Sequence, residues 1–340
     1  MRHPLPSRHR FLVLTAATLA VAACEGKPAA APDTKLVPPA DRPATVAVVP
    51  GMSPIVTANF AGKEWTPPPE AEIPADSLGN SIRRGLALLR HTTDSLPDYA
   101  PGHINCTNCH LQDGRALYGA PLAGSHARFP KYLPRSGAVI TLADRVNYCF
   151  TRSLAGNRLP TDSREMTDLL AYMAWLSKDV PIGAKVPGAD GLPAMQETLV
   201  ADAGRGATLY AGKCQSCHQA DGGGGPLIPA LWGPKSYSVG ASMTRVERAA
   251  SFISHNMPLG LGGTLTAQES FDLAAYINSH PRPDSPGKEN DWPFGGAPKD
   301  VPYNTKSGHE AVNAPPLLPR RAPGRTLVPA PPRARALSAP

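Results

Sequence analysis

The chain has 340 residues, of which 41% are hydrophobic and 6% aromatic, and it carries a formal net charge of +7. This length allows two domains with separate cores, although 40 prolines and 31 glycines indicate long irregular connections. The positive charge lies at the two ends, because residues 24–280 hold 22 basic and 22 acidic side chains. Without a basic face or a recognisable binding motif, the sequence argues against a nucleic-acid partner.

The N-terminus has the pattern of an export signal. Three arginines precede an apolar segment, residues 11–23, that is too short to span a bilayer. The segment ends in LAVAAC, which looks like a bacterial lipobox. We therefore expect a signal peptide over residues 1–23 and a periplasmic protein held at a membrane by a lipid on Cys24. The alternative is an ordinary signal, cleaved nearby, that leaves Cys24 as an unpaired thiol.

Residues 24–75 are rich in alanine, proline and valine but have neither helical nor strand periodicity. This composition predicts a flexible tether between the anchor and the first domain. The first domain is expected over residues 76–180. Apolar residues at helical spacing predict a helix over residues 81–90, beside the first functional motif.

A CTNCH sequence contains that motif, with Cys106, Cys109 and His110. It has the layout of a covalent attachment site for c-type haem. Each thiol would add to one vinyl group of the porphyrin, and the histidine would present its imidazole to the iron. For a single motif, a thioredoxin-like dithiol that happens to precede a histidine is the alternative.

The same layout recurs as CQSCH, with Cys214, Cys217 and His218. This repetition argues against two unrelated redox or zinc motifs and indicates two covalently attached haem c groups. The predicted fold is all-α, with two tandem cytochrome c-type domains. The second domain is expected over residues 201–281, after a linker at residues 181–200 that is rich in glycine and proline.

Further helix signals surround these motifs. Thr141 as N-cap, with Asp144 in the first turn, predicts a helix that runs on through Cys149. Other helices are predicted over residues 161–178, 244–256 and 266–279. Residues 282–340 are rich in proline and basic side chains, so we expect this tail to be mostly disordered.

Counting from the motifs suggests the second axial ligand of each iron. Met257 follows His218 by 39 residues and stands just after a predicted helix, where small cytochromes c usually supply a methionine. Met243 is the rival ligand, and a methionine of the hydrophobic core is the non-ligand alternative.

The same offset of 39 residues leads from His110 to Cys149. A thiolate ligand lowers the iron potential relative to methionine, so electrons are expected to pass from the first haem (haem 1) to the second (haem 2). The alternatives for Cys149 are a small buried thiol and a disulfide with Cys24.

Three stretches resemble the periplasmic di-haem thiosulfate dehydrogenases. They are FPKY with RSG at residues 129–137, RVNYCFTRS at residues 145–153, and NMP at residues 256–258. The resemblance covers about residues 60–280. In some members a lysine precedes the distal methionine, but this chain has Asn256 there. A ligand exchange between lysine and methionine is therefore not expected.

The resemblance implies that Cys149 is both an iron ligand and the catalytic thiol, and that Arg135, Arg145 and Ser153 line an anion site. Two guanidinium groups near a haem-bound sulfur would suit a small dianion. Without the family pattern, a surface position or a contact with a haem propionate is an equally good reading of the two arginines.

The function that the resemblance implies is oxidation of two thiosulfates to tetrathionate, which similar enzymes also reverse. Electrons would pass through both haems to a soluble cytochrome c or a similar acceptor. Two other functions remain open. One is a lipid-anchored di-haem electron carrier without its own substrate, and the other is a sulfur-oxidation multienzyme cytochrome that acts on a protein-bound thiol.

Overall fold

The computed structural model describes residues 51–195 and 199–320. The predicted signal peptide, Cys24 and the last twenty residues lie outside the described residues. Within the described part of the chain, no helix is both long enough and apolar enough to cross a membrane.

Helices form the framework of the first domain. They are α1 (Ser77–Arg90), α2 (Thr92–Ser95), α3 (Leu111–Gly114), α4 (Leu142–Tyr148) and α5 (Arg164–Leu176). Helices α1 and α5 pack closely because Gly85 has no side chain; a Cβ there would lie 2.1 Å from the carbonyl oxygen of Asp168. Arg84 donates two hydrogen bonds, of 2.7 and 2.8 Å, to the Asp168 carboxylate, which joins the two helices.

The second domain repeats this arrangement. Its helices are α6 (Ala203–Lys213), α7 (Gln215–His218), α8 (Val246–Asn256) and α9 (Ala267–Ser279). At Gly206 of α6, a Cβ would lie 2.1 Å from the carbonyl oxygen of Asp272 in α9. Arg205 donates two hydrogen bonds of 2.7 Å to the Asp272 carboxylate. A hydrophobic cluster surrounds each helix pair, so the prediction of two mainly helical domains is confirmed.

Short strand pairs lie between the helices. The antiparallel pairs are β1 (Ala58–Phe60) with β2 (Lys63–Trp65) and β3 (Lys131–Leu133) with β4 (Ala138–Ile140). The parallel pair is β5 (Arg282–Pro283) with β6 (Leu317–Leu318). The register pairs Asn59 with Glu64 in β1 and β2, and Tyr132 with Val139 in β3 and β4. These pairs fasten irregular segments to the helical domains.

The start of α4 follows the sequence prediction, but its continuation does not. The Thr141 hydroxyl accepts a hydrogen bond of 3.1 Å from the Asp144 backbone N–H, and the Asp144 carboxylate accepts one of 3.2 Å from the Thr141 N–H. The predicted N-cap is therefore confirmed. After Tyr148 the chain widens into a π-helix, Cys149–Ser153, where the sequence predicted continued α-helix. Single π-turns of this kind are frequent at functional sites.

Part of the predicted tether is folded onto the first domain. Val56 is fully buried, and Trp65 donates its indole N–H to the Lys178 carbonyl at 2.7 Å. The prediction of a flexible tether is therefore wrong for residues 51–75. Scattered apolar residues without local periodicity became buried against a surface that only the folded domain provides.

The predicted disorder of the tail is wrong for residues 282–320, which we call the strap. The strap buries Trp292, Val301 and Tyr303. It contacts the first domain through an ion pair of 2.8 Å between Asp291 and Arg135, and the second through the Val239 N–H, which donates to the Pro283 carbonyl at 2.9 Å. Proline-rich composition lowers local order, but these tertiary contacts override it.

Candidate functional site

The first attachment motif holds the imidazole of its histidine in one orientation. Cys106 begins a short 3-10 turn, Cys106–Asn108, and His110 follows it. The His110 Nδ1–H donates to the Ala120 carbonyl at 2.5 Å. This hydrogen bond leaves Nε2 as the unprotonated nitrogen, which is the form that coordinates iron.

The second motif is built in the same way. The His218 Nδ1–H donates to the Pro229 carbonyl at 3.1 Å. Burial lowers the pKa of His218, although the Pro229 hydrogen bond opposes this, so the neutral imidazole is favoured. Each motif thus offers what a covalently attached haem requires, which is two thiols for the porphyrin and an oriented imidazole for the iron.

Cys149 lies beside both Arg145 and His110. The Arg145 Nη1–H donates to the Cys149 sulfur at 3.0 Å. Burial raises the pKa of Cys149, but the Arg145 cation and then His110 lower it, and the resulting value is about 6. The structure thus places His110 next to Cys149, the cysteine that the sequence predicted as the second ligand of the same iron.

The attachment cysteines differ from Cys149 in their electrostatics. Burial raises the pKa of Cys106 and of Cys109 to about 12, and that of Cys214 to about 11. Among these cysteines, Cys149 is therefore the one whose thiolate form is favoured, as an iron-ligating or nucleophilic sulfur requires. The ligation of iron by Cys149 stays a prediction.

Ser153 and Arg145 share the segment that carries Cys149. Arg145 lies one turn earlier on α4, and Ser153 ends the π-helix that Cys149 begins. The Ser153 carbonyl accepts a hydrogen bond of 3.0 Å from the Ser238 N–H of the second domain. This contact fixes the end of the π-helix against the other domain.

Arg135 is held by partners other than Cys149. Its Nε donates to the Asp291 carboxylate at 2.8 Å, and its Nη2 donates to the Gly240 carbonyl and the Tyr303 hydroxyl, both at 2.8 Å. Its guanidinium carbon also lies 5.1 Å from the centre of the Trp292 ring system. The anion-binding role of Arg135 stays a prediction, and the structure adds a structural role at the junction with the strap.

Met257 directly follows α8 and packs at the edge of the second hydrophobic core. Met243 packs at the edge of the same core, so the choice of Met257 as iron ligand also stays a prediction. Asn256, which stands where some relatives have lysine, is buried, and its side-chain amide donates to the Tyr118 carbonyl of the first domain at 2.8 Å.

Two family models match the chain. The SoxA/TsdA cytochrome c domain covers residues 99–182, and cytochrome C oxidase, cbb3-type, subunit III covers residues 201–277. The chain is 42% identical over 240 residues to a thiosulfate dehydrogenase of Psychrobacter arcticus, a match that covers 69% of this chain and 73% of that protein. The chain belongs to the thiosulfate dehydrogenase family.

Similarity to two other thiosulfate dehydrogenases supports this family membership. A thiosulfate dehydrogenase of Allochromatium vinosum is 42% identical over 228 residues, which are 64% of this chain and 84% of that protein. The solved structure of thiosulfate dehydrogenase (TsdBA) from Marichromatium purpuratum, in its "as isolated" form, matches with a TM-score of 0.63 at 32% identity. That match covers 74% of this chain and 58% of the other. The two cytochrome c domains of this thiosulfate dehydrogenase family member imply haem c cofactors.

The strap contributes residues that sequence reasoning did not find. Asp291, 2% exposed, accepts hydrogen bonds from Arg135 Nε and Tyr303 Oη at 2.8 Å, and from Arg152 Nη2 at 3.0 Å. Arg152 also donates to the Pro286 carbonyl at 2.9 Å and the Gly287 carbonyl at 3.0 Å. Because Arg152 belongs to the π-helix of Cys149, the strap holds the cysteine-bearing segment of this thiosulfate dehydrogenase in place.

One sequence signal could have revealed the strap. It contains Trp292 and Tyr303, both of which are buried, in a chain with only 6% aromatic residues. Aromatic residues are depleted in disordered segments, so their presence indicates buried contacts. The partners of Asp291 could not be identified in this way, because Arg135 lies 156 positions away in sequence.

Proposed function

We propose that this family member joins two thiosulfate ions into tetrathionate at the Cys149 sulfur and passes two electrons to an external acceptor. The proposal is carried by the 3.0 Å contact between Arg145 Nη1 and the Cys149 sulfur, next to His110 of the first attachment motif. Similarity to proteins named thiosulfate dehydrogenase, at 36% to 42% identity, supports the choice of substrate.

The donor sets suit two haem c groups. The thioether-forming residues would be Cys106, Cys109, Cys214 and Cys217, and the iron ligands would be His110, Cys149, His218 and Met257. When bound, these haems take up electrons one at a time and transfer them onward. The protein's own part is to hold the ligands, bind the anions and provide the reacting sulfur.

The Cys149 sulfur can serve as the atom on which the first substrate is held. The Cys149 thiolate sulfur and the sulfane sulfur of one thiosulfate form an S–S bond, and two electrons pass to the external acceptor. The product is a Cys149 Sγ–S–SO₃⁻ adduct. The sulfane sulfur of a second thiosulfate then attacks the sulfane sulfur of the adduct. The bond to Cys149 breaks, tetrathionate leaves, and the thiolate is restored. The reverse sequence would reduce tetrathionate.

Positive charge at this site lowers the cost of bringing thiosulfate first to the Cys149 thiolate and then to the anionic adduct. Arg145 is already next to the sulfur, and Arg135 would add a second guanidinium through its remaining N–H groups. Ser153, on the π-helix with Cys149, would add a hydroxyl donor to a sulfonate oxygen. The strap would keep Arg135 oriented through Asp291.

The pattern of the N-terminal sequence supports a proposal about the cellular setting. We propose that the protein works in the periplasm, attached to the membrane through a lipid on Cys24, and delivers electrons to a soluble cytochrome c or similar acceptor. Mass spectrometry of the mature protein tests this setting. A Cys24 N-terminus carrying acyl chains supports it, and an unmodified chain cleaved elsewhere contradicts it.

Replacement of Cys149 tests the mechanism directly. In Cys149→Ala, thiosulfate-dependent reduction of an acceptor should be lost, while both haems remain attached through their cysteines. Thr151→Val is the control, since Thr151 lies on the same π-helix and its hydroxyl donates only to the Asn147 carbonyl, at 3.0 Å. Full activity of the alanine variant would contradict the mechanism. An electron carrier without its own substrate would instead show no thiosulfate turnover in the unaltered protein.

A further inference from the structure

Arg282 is a fully buried residue that the proposed reaction does not use. Arg282 is 0% exposed, which is unusual for a large charged side chain. Nη2 donates to the Ile277 carbonyl at 2.7 Å, whereas Nε and Nη1 have no hydrogen-bond partner among the described residues. Since a guanidinium stays protonated in proteins, a buried one with two free donors is strongly unfavourable unless an anion lies beside it.

The surroundings of Arg282 are aromatic. Its guanidinium carbon lies 4.5 Å from the Tyr237 ring centre, which is a cation–π contact. The Tyr237 hydroxyl donates to the Asn278 side-chain oxygen at 3.1 Å, and the Asn278 amide donates to the Met243 carbonyl at 3.0 Å. These contacts fix the ring against which Arg282 is stacked, but they supply no negative charge.

The loop that carries Tyr237 lies between the two attachment motifs. It begins near Pro229, whose carbonyl holds His218. Its Lys235 carbonyl accepts a hydrogen bond of 3.1 Å from the N–H of His103, just before the first motif. Burial raises the pKa of Tyr237, and Cys109 is close enough to add to this rise, while Arg282 opposes it. Arg282 thus contacts a loop that is in touch with both attachment motifs.

We propose that Arg282 binds the carboxylate of a haem propionate at the junction of the two domains. Each haem c carries two propionates, and covalent attachment brings them into the protein interior with the ring. A carboxylate is a strong acceptor for a hydrogen bond from either the Nε–H or an Nη1–H of this guanidinium. A free anion from solvent is a poorer candidate, because the side chain is closed to solvent.

This role has a consequence for the electron path. A guanidinium beside the propionate partly neutralises the negative charge near the iron. Neutralisation favours the reduced iron and so raises the midpoint potential of that haem. The inference rests on haem attachment and not on thiosulfate chemistry, so each can fail without the other.

Redox titration of the holoprotein tests the inference, with optical spectra used to follow each haem. Arg282→Met removes the charge but keeps an apolar side chain of similar length. We expect a lower midpoint potential for the haem whose propionate is bound, and little change for the other. Arg282→Lys, which keeps the charge, should recover most of the shift. The haem that responds identifies which porphyrin supplies the carboxylate.

Unchanged potentials of both haems in a folded Arg282→Met protein would overturn the inference. If that variant does not fold, an experimental structure of the wild-type holoprotein decides the question. A propionate oxygen within about 3 Å of Nε or Nη1 supports the contact. A guanidinium paired only with water or with another ion overturns it.

Discussion

In both domains, a glycine of the first long helix meets the backbone of an aspartate on the last one, Gly85 with Asp168 and Gly206 with Asp272. In both, an arginine next to that glycine is paired with the aspartate carboxylate. In both, a backbone carbonyl holds the histidine of the attachment motif through Nδ1. The domains therefore share the scaffold that positions a haem.

The difference lies in the segments expected to supply the second iron ligand. In the first domain this segment is the π-helix of Cys149, with Arg145 and the strap around it. In the second, Met257 stands in a loop whose Leu259 and Leu261 are 61% and 56% exposed. The same helix scaffold can thus suit sulfur chemistry in the first domain and electron transfer in the second. The reason is that a few residues outside the helix pair set the expected iron ligand and the charge around it.

The largest expected effect comes from making the first site resemble the second. Cys149→Met keeps a sulfur near His110 but removes the thiolate, so turnover with thiosulfate should fall by about 10³-fold or more, as when another catalytic nucleophile is removed. Steady-state kinetics with an excess of a chemical acceptor measure the effect. If this variant turns over normally, the contrast between the two domains does not explain the activity.

Met257→Ala tests the other half of the comparison. Loss of a methionine ligand should lower the potential of haem 2 by on the order of 0.1 V, while the haem 1 spectrum stays unchanged. Met243→Ala is the matched control, since Met243 packs at the edge of the same core. If Met243→Ala causes the shift and Met257→Ala does not, the ligand assignment is wrong.

Asp291→Asn tests the role of the strap. The contacts described around Met257 include no comparable segment. Loss of the carboxylate charge leaves Arg135 and Arg152 less firmly held, so kcat/KM for thiosulfate should fall by about tenfold. Asp300→Asn is the control, because Asp300 lies in the same strap but pairs with Arg245 at 2.7 Å. Equal losses in both variants would indicate a general effect on folding.

The shared scaffold makes a smaller, symmetrical prediction. Gly85→Ala and Gly206→Ala should each lower the free energy of unfolding by about 1–3 kcal/mol, because each new methyl group would lie 2.1 Å from a carbonyl oxygen before the helices adjust. Denaturant titration of the holoprotein measures both values. A clearly larger loss in one domain would show that the two helix pairs are less equivalent than their contacts indicate.

Local sequence patterns were sufficient for the features that depend on near neighbours. The Cys106–His110 and Cys214–His218 spacings indicate haem attachment, because neighbouring residues have to meet neighbouring groups of one porphyrin. The cap at Thr141 was predictable for the same reason, since the capping box joins two residues only three positions apart. The offset of Cys149 depended on the internal repeat, and the arginine roles depended on the family resemblance.

What only the tertiary structure decided involves partners that are distant in sequence. Val56 and Trp65 become buried, Asp291 pairs with Arg135 and Arg152, and Arg282 is enclosed only through surfaces that form on folding. Composition suggested a flexible tether and a disordered tail, because a count of prolines and charges does not show which carboxylate meets which guanidinium. The sequence alone predicted where the haems are attached, and the folded chain decided which charges surround those motifs.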